Sequence, residues 1–394
     1  MTDLQVSPRV RHARTAVAAA FLISGLAFAS FVSRTPALRD TLGLSSAELG
    51  LLLLCVSGGS IAGLPLSGPI VQRLGSGRAA LAGAVSVGLG LAGLSAGLVA
   101  ASVPLVAPGL VLVGLGIGVW DVAMNVQGAD VERQLGRSLM PRLHAGFSIG
   151  AVAGAGLGAL SAANGISLAA QVLAIGVFAP VSMALAVPRF LPDRAADRET
   201  EREPRVSALT AWREPRTLAV GLMVLGFAFT EGSANDWMAV AMVDGYGTSE
   251  TVGAVGFGIF VTAMTVGRLL GGSALERFGR VPVLRATAAL GLAGLLLVLL
   301  GGSTPVAMAG AVLWGLGAAL GFPVGMSAAA DDPARAAVRV SVVSSIGYTA
   351  FLAGPPLIGL LAEQAGILRA LFVVVGALAL GLVAAGAARP LPRT

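Results

Sequence analysis

The sequence predicts an all-α membrane protein with twelve transmembrane helices in two pseudo-symmetric six-helix bundles. Of its 394 residues, 56% are hydrophobic and only 12% are charged, and the mean hydropathy is +0.86. A soluble domain carries roughly 25% charged residues. Apolar runs of about 20 residues recur along the chain, and this is the length that a helix needs to cross a bilayer. Such runs are too long for the strands of a membrane barrel, which have about ten residues.

The apolar runs divide the chain into twelve predicted spans and one polar interval. The first six spans are predicted at residues 15–38, 46–71, 79–100, 104–128, 141–163 and 167–188. The second six are predicted at residues 216–243, 250–275, 282–301, 305–329, 337–361 and 367–388. The interval between them is rich in Arg, Asp, Glu and Pro, which is typical of a solvated linker. The predicted domains are an N-terminal bundle at 1–188, a linker at 189–215 and a C-terminal bundle at 216–394.

The basic residues indicate how the chain is oriented. All 26 are arginines, and the sequence pI is about 11.0. A pI this high can indicate a nucleic-acid partner, but these arginines lie between the apolar runs. With a cytoplasmic N-terminus, 22 of the 26 fall on the cytoplasmic side. Because cytoplasmic loops carry the excess of arginine, we expect both termini in the cytoplasm, the chain in the inner membrane of a bacterium, and no nucleic-acid partner.

The two halves of the chain repeat. The segment Gly68–Gly75 (GPIVQRLG) corresponds to Gly272–Gly279 (GSALERFG), and the GLG sequence at Gly114 recurs at Gly315. The offsets are 204 and 201 residues. Matching landmarks at a nearly constant offset predict a duplicated six-helix unit. Two such halves are a recurring plan of transporters, with the substrate site between them.

Two sets of motifs resemble a known family. The loop element G-x-x-x-[D/E]-R-x-G-R resembles that of the major facilitator superfamily, and its second copy (Gly272, Glu276, Arg277, Gly279, Arg280) matches well. The first copy (Gly68, Gln72, Arg73, Gly75) has Gln72 where that family usually has Asp, and Ser76 follows Gly75. Asp121-x-x-x-Asn125 and the stretch from His144 to Gly150 resemble the fucose permease branch. The resemblance implies a secondary transporter, which we expect to be a monomer in the lipid bilayer with a small-molecule substrate.

The candidate site residues are the polar side chains inside spans. Asp121 and Asn125 share one helical stripe with Gly114, Gly118 and Gly128. Because a charge inside a membrane helix costs about 2.5–3.5 kcal/mol, it usually faces a polar interior. We therefore predict substrate contact or proton coupling for Asp121, Asn125, Glu231, Asn235 and Tyr348. Asp121 or Glu231 would carry the proton.

Three further residues have two interpretations each. Arg34 forms an ion pair with Asp236 or Glu231, or it reaches out to the membrane interface. Asp236 is part of such a pair, or it marks where its helix emerges into water. His144 shares a proton path with Asp121, or it is an interfacial residue whose ring is already satisfied.

The sequence predicts a transporter and not an enzyme. It has two histidines and no metal-binding cluster of Cys and His. Because it has no lysine, it has no phosphate-binding loop of the kind that drives ATP-dependent pumps. The predicted function is proton-coupled symport of a sugar-like or other small hydrophilic solute by alternating access, with protons as the coupling ion and no other cofactor. The alternative is a proton-coupled antiporter that exports drugs or lipophilic metabolites.

Overall fold

The structure is a computed structural model that describes residues 7–136, 139–193, 208–332 and 335–390. Most of the predicted linker falls outside these ranges. The same holds for six of the arginines on which the predicted orientation rests, namely Arg137, Arg194, Arg198, Arg202, Arg205 and Arg393.

All regular secondary structure in the described residues is helical, and twelve helical segments are long and apolar enough to cross a membrane. This confirms the predicted fold class. The first helices are α1 (Pro8–Val32), α2 (Thr35–Leu42), α3 (Ser46–Leu74), α4 (Ser76–Val99), α5 (Val103–Leu135), α6 (Met140–Ala163) and α7 (Leu168–Ala186). The remaining helices are α8 (Ala208–Ala211), α9 (Pro215–Val240), α10 (Glu250–Phe278), α11 (Arg280–Leu300), α12 (Thr304–Ala318), α13 (Gly321–Ala329), α14 (Ala336–Ala365), α15 (Ile367–Ala370) and α16 (Phe372–Ala384).

The chain divides into two compact units. The first unit contains Met1–Leu44 and Leu52–Thr200, and the second contains Ser45–Leu51 and Glu201–Thr394. The start of α3 thus packs within the second unit, against α14. There the amide of Ala47 donates to Glu363 Oε2 at 3.4 Å, and a Cβ on Gly50 would lie 2.4 Å from the carbonyl oxygen of Pro355.

Each unit contains the same close helix crossing. In the first unit, α4 and α5 meet at Gly90 and Gly109, where an added Cβ would lie 2.5 Å and 2.7 Å from the partner's carbonyl oxygen. In the second, α11 and α12 meet at Gly294 and Gly310, where both distances would be 2.6 Å. Small residues let membrane helices pack this closely. Gly294 lies 204 residues after Gly90, and Gly310 lies 201 residues after Gly109, which are the offsets of the sequence landmarks. The internal repeat therefore includes the way in which these helices pack.

The first predicted span, 15–38, is wrong at both ends. Helix α1 starts at Pro8 and ends at Val32, and α2 starts at Thr35 after a break at Arg34. Pro36 explains the break, because it lacks the N–H that would donate to the carbonyl oxygen of Val32, four residues earlier, and so continue α1.

The predicted span at 305–329 is broken in the middle. Helix α12 ends at Ala318 and α13 starts at Gly321. Pro323 has no N–H to donate to the carbonyl oxygen of Ala319, four residues earlier, so the backbone ladder is interrupted at this point.

Most other spans also differ from the prediction, by a few residues at an end or, in one case, by an interruption. Helix α5 continues past the predicted residue 128 to Leu135, where Gly136 with φ 62° terminates it. The predicted span 216–243 ends as an α-helix at Val240, and one π-helical turn, Ala241–Gly245, follows. The predicted span 367–388 is interrupted at Leu371.

Candidate functional site

Asp121 and Asn125 form a hydrogen-bonded pair on α5. The Asn125 amide donates to the backbone oxygen of Asp121 at 2.8 Å and to its Oδ1 at 3.3 Å. Both side chains are half-buried. The glycines of the predicted stripe pack on other helices, since a Cβ on Gly114 would lie 2.1 Å from the Val56 oxygen of α3. Asp121 thus has an amide from its own helix as its partner, and no salt bridge to it occurs among the described residues.

Arg34 lies in the break between α1 and α2. Its side chain is buried, with a residue exposure of 3%. Its Nη1 donates to Gln171 Oε1 at 2.9 Å and to the Ile166 carbonyl at 3.1 Å, and Gln171 in turn donates to Ser30. The interpretation of Arg34 as an exposed interfacial residue is therefore wrong. Its pairing with Asp236 or Glu231 stays a hypothesis.

His144 is exposed and packs edge-on against Phe21 of α1, with ring centroids 5.1 Å apart. Helix α6, which carries it, begins where Glu132 Oε2 accepts hydrogen bonds from the amides of Leu139 and Met140 at 2.5 Å and 2.7 Å. A carboxylate at the positive end of a helix stabilises that end. A proton path through His144 stays a hypothesis.

Glu231 of α9 forms a salt bridge with Arg268 of α10, and Arg268 Nη2 lies 2.8 Å from Glu231 Oε1. The exposed fractions of the two side chains are 32% for Arg268 and 15% for Glu231. Glu231 is the seventeenth residue of α9, roughly 24 Å along the helix axis. The ion pair is therefore well inside the spans.

Arg268 also binds the broken helix. Its Nε donates to the carbonyl oxygen of Ala319 at 3.4 Å. This is the oxygen that Pro323 leaves without its usual partner. Interrupted helices persist in membranes where a neighbouring group satisfies the freed backbone. One arginine thus binds both a carboxylate and the break between α12 and α13.

Tyr348 of α14 lies at the same break. Its ring packs against that of Phe322, the second residue of α13, with centroids 6.2 Å apart. Helix α9 packs there as well, because a Cβ on Gly321 would lie 1.9 Å from Cγ of Phe227. The structure therefore brings Glu231 and Tyr348 together with Arg268 around one helix break.

Asn235 and Asp236 are both half-buried on α9. Asn235 is four residues after Glu231, so the two lie on the same face of α9. Asp236 lies on another face, together with Leu225 and Phe229, which precede it by eleven and seven residues. Asp236 and Glu231, the two partners predicted for Arg34, thus lie on different faces of the same helix.

The two copies of the loop motif form matching turns. Gly75, between α3 and α4, has φ 82°, and Gly279, between α10 and α11, has φ 79°. Both lie in the left-handed region that glycine tolerates best. Four of the five charged and polar motif residues are exposed, namely Gln72, Arg73, Glu276 and Arg277, whereas Arg280 is half-buried. Space is open around Gly68 and Gly272. The part of the motif with a visible structural role is therefore the pair of turn glycines, Gly75 and Gly279, whose positive φ allows the turns between the helices.

The residue after each turn glycine binds an aspartate. In the second unit, Arg280 Nη1 lies 2.7 Å from Asp331 Oδ1, and Arg216 lies 2.8 Å from the other oxygen of Asp331. In the first, the amide of Ser76 donates to Asp193 Oδ1 at 2.8 Å, and its hydroxyl bonds the same oxygen. The insertion of Ser76 thus provides a hydroxyl where the second copy has an arginine.

Three residues that organise these sites are not among the predicted site residues. Arg268 lies inside the predicted span 250–275, and an arginine in an apolar run is the signal that could have found it. Gln127 is completely buried and donates to Ser76 Oγ at 2.7 Å and to the Leu191 carbonyl at 2.9 Å. Gln171 is the partner of Arg34. Glutamines inside apolar helices are a weak signal, because they also occur as simple packing residues.

The fold and the polar groups inside its spans define a polytopic membrane transporter of small solutes. The sequence matches the Major Facilitator Superfamily over residues 17–264 and 221–394, and the chain belongs to this family. It is 34% identical over 361 residues to an uncharacterized transporter, y4wD, of Sinorhizobium fredii, with 91% of this chain and 93% of that one covered. It is 28% identical over 387 residues to the membrane protein MosC of Rhizobium meliloti, with 98% and 91% covered.

Solved structures show the same fold. A mutant of the nucleoside transporter NupG aligns with a TM-score of 0.79 at 13% identity, over 95% of this chain and 99% of that one. The transporter FucP, in its outward conformation, aligns with a TM-score of 0.66 at 16% identity, over 96% and 99%. Identities this low establish the fold alone.

Proposed function

We propose that this chain is a proton-coupled symporter that imports a small hydrophilic solute by alternating access. The observation that carries the proposal is the contrast between two carboxylates inside spans. Glu231 is paired with an arginine, whereas Asp121 is hydrogen-bonded to the amide of Asn125. A carboxylate without a cationic partner can gain and lose a proton without breaking an ion pair, which is what a coupled carrier requires.

The roles follow from this contrast. Asp121 carries the coupling proton and Asn125 orients its carboxylate. Glu231, Asn235 and Tyr348 contact the solute near the break between α12 and α13. The distribution of arginines supports cytoplasmic termini.

One observation favours the alternative, a proton antiporter that exports lipophilic compounds. The first unit contains a cleft lined mainly by apolar side chains that include Phe28, Phe31 and Trp120, and such a lining suits a lipophilic compound better than a hydrophilic one. Trp120 is 1% exposed, and its Nε1 has no hydrogen-bond partner among the described residues. The direction of proton movement separates the two functions. A symporter makes the medium of de-energised cells more alkaline when its solute is added, and an antiporter does not.

Asp121→Asn tests the proposal. The amide cannot take up a proton, so we expect the variant to lose accumulation driven by a pH gradient and to retain exchange of labelled for unlabelled solute. Transport is measured in proteoliposomes with and without the gradient. The matched control is Asp130→Asn on the same helix, where Asp130 pairs with the exposed Arg133 at 3.0 Å. Uphill uptake at the wild-type level in Asp121→Asn would remove Asp121 from the mechanism.

A further inference from the structure

Arg268 points into the protein and not towards lipid. On α10, the exposed residues Val255, Thr262, Val266, Leu269 and Ser273 follow one face. Arg268 shares a different face with Phe257, Val261 and Met264, at intervals of four, three and four residues, and these three are buried. Because about a third of its side chain is still accessible, the accessible part lies on the inner side of the helix.

The guanidinium has unused hydrogen-bonding capacity. Nη2 binds Glu231 and Nε binds the Ala319 carbonyl. Nη1 makes no hydrogen bond to any described residue. An arginine presents five N–H donors in a planar fork that matches a carboxylate with two parallel bonds. The free edge of Arg268 therefore fits a second carboxylate.

The charge balance of the site indicates when that second carboxylate can bind. Glu231 and Arg268 together carry no net charge, and an anion added to this pair would leave an uncompensated charge inside the spans. If Glu231 first takes up a proton, its bond to Arg268 weakens and the anion restores neutrality. In this exchange Glu231 becomes neutral by binding a proton on its carboxylate, and the ion pair of Arg268 with Glu231 is replaced by an ion pair of Arg268 with the bound carboxylate.

We propose that Arg268 binds the carboxylate group of the transported solute, and that Glu231 is the counter-ion which that carboxylate displaces. The substrate class is then small hydroxy acids or sugar acids. This inference rests on the proposed symport function and specifies its substrate. The proton on Glu231 balances the charge of the solute, while the one on Asp121 drives accumulation.

Within the second unit, the described helices packed around Glu231 offer no other charged partner for this exchange. Helices α12, α13 and α16 contain no charged residue, and on α14 the charged Arg339 and Glu363 lie near the two ends. Asp236, on α9 itself, follows a different face. Arg268 is therefore the cation that responds when Glu231 changes its charge.

Thermal stability of the purified full-length protein tests the inference. The probes are pairs of a carboxylate and its neutral amide, such as D-gluconate with D-gluconamide and L-lactate with L-lactamide, extended over a panel of hydroxy and sugar acids at pH 5.5 and 7.5. Because a ligand that binds the folded state stabilises it, we expect at least one acid to raise the melting temperature more than its amide does. In Arg268→Gln the apparent affinity should fall at least about 30-fold. In Glu231→Gln binding should persist and lose its preference for low pH.

Two further variants exclude a purely structural role. Glu231→Gln combined with Arg268→Gln removes both charges, so it should recover the stability lost in either single variant and still bind no acid. Arg285→Gln, which changes an exposed arginine of the same unit, should bind as the wild type does. Amides that stabilise as well as acids, or a response retained in Arg268→Gln, would overturn the inference. Arg268-independent, proton-driven uptake of a neutral sugar would overturn it and leave the symport function standing. Binding of an acid without any proton-driven uptake would support the inference about Arg268 and overturn the proposed symport function.

Discussion

At the scale of single residues, similar side chains have different roles because their partners differ. Asp121 and Glu231 are both acids inside spans, yet an amide from the same helix binds one and an arginine from another helix binds the other. When one member of a buried ion pair becomes neutral, the strong attraction between the two charges is lost. A hydrogen bond between a carboxylate and a neutral amide loses less energy when the carboxylate takes up a proton. The partner thus determines which acid can exchange a proton by itself and which can do so only when another anion takes its place beside the arginine.

Gly321 allows the broken helix to contact α9. A Cβ at this position would overlap the ring of Phe227, and overpacking a dense core typically costs about 1–3 kcal/mol. We expect Gly321→Ala to lower the melting temperature of the purified protein. The control is Gly376→Ala on α16, where a Cβ would meet nothing within 4 Å. A second change, Phe227→Ala, should recover part of the loss, and a melting temperature unchanged by Gly321→Ala alone would contradict this packing.

Glu214, just before α9, makes stability depend on pH. A hydrogen bond from Arg339 is the main cause that lowers the pKa of Glu214 from its ordinary 4.5, with further bonds from Thr217 and Arg335. Because the folded-state pKa is below the unfolded one, this stabilisation is complete above about pH 4.5 and is lost as the pH falls through the folded-state value.

We therefore expect Glu214→Gln to lower the melting temperature at pH 7 and to flatten its decline between pH 5 and 3.5. Glu276→Gln, which changes an exposed glutamate of the same unit, is the control. If the two variants gave the same pH profile as the wild type, the interaction of Glu214 with Arg339 would contribute nothing to stability.

At the scale of helices, the break between α12 and α13 concentrates the chemistry of the second unit. Pro323 frees the Ala319 carbonyl, Arg268 binds it, and Glu231 binds Arg268. Phe322 then brings the ring of Tyr348 to the same place. A continuous helix would leave Arg268 without its backbone acceptor and would move its guanidinium away from this position.

Pro323→Ala tests that arrangement. Alanine restores the N–H, which can then donate to Ala319 in place of Arg268, and alanine favours a helix more than proline does. We expect the melting temperature to stay the same or rise while the transport rate falls. The control is Pro305→Ala in the first turn of α12, where proline removes no helical hydrogen bond. Transport at the wild-type rate would show that the break is not needed for function.

At the scale of the whole molecule, two similar scaffolds carry different polar groups. The glycine crossings and the two loop turns repeat in both units. The polar contacts inside the spans do not repeat, since the first unit has Asp121 with Asn125 and the second has Glu231 with Arg268. The duplicated glycines keep the backbone of the two units alike, while the polar side chains of one unit can differ from those at the matching positions of the other.

The segment that leads into the linker is attached to the first unit. Ser76 binds the carboxylate of Asp193, and Gln127 binds both the amide and the carbonyl of Leu191. Hydrogen bonds to a charged group contribute about 1.5–3 kcal/mol. Loss of such a bond raises the detached fraction about tenfold or more. This attachment fixes the point at which the linker leaves the unit.

We therefore expect trypsin to cleave after Arg194 at least about tenfold faster in Asp193→Asn than in the wild type, because cleavage requires the neighbouring residues to detach. The rate is measured on the purified protein by mass spectrometry of the fragments. Asp40→Asn, at an exposed pair with Arg39, is the control. Equal cleavage rates in all three proteins would show that Asp193 does not hold this segment.

Much of the fold follows from the sequence alone. Span number and helix type depend on the length and composition of apolar runs, and the repeat depends on landmarks at constant spacing, so local patterns were sufficient for both. The family resemblance rested on the loop motif, and its turn glycines are seen with positive φ. The candidates Asp121, Asn125, Glu231 and Tyr348 could be selected from the sequence because a polar residue in an apolar run stands out, and their roles in transport stay predictions.

The tertiary structure decided which of these residues have partners. Pairing of Glu231 with Arg268 joins residues 37 positions apart, and the bond from Arg268 to Ala319 joins residues 51 positions apart. Helical periodicity predicts contacts three or four positions apart, so it predicts neither of these pairs. Pro323 was visible in the sequence, but prolines also lie inside the unbroken helices α3, α5, α7 and α14, so a proline by itself does not predict a break. The group that binds the freed carbonyl of Ala319 is identified only once the helices are packed.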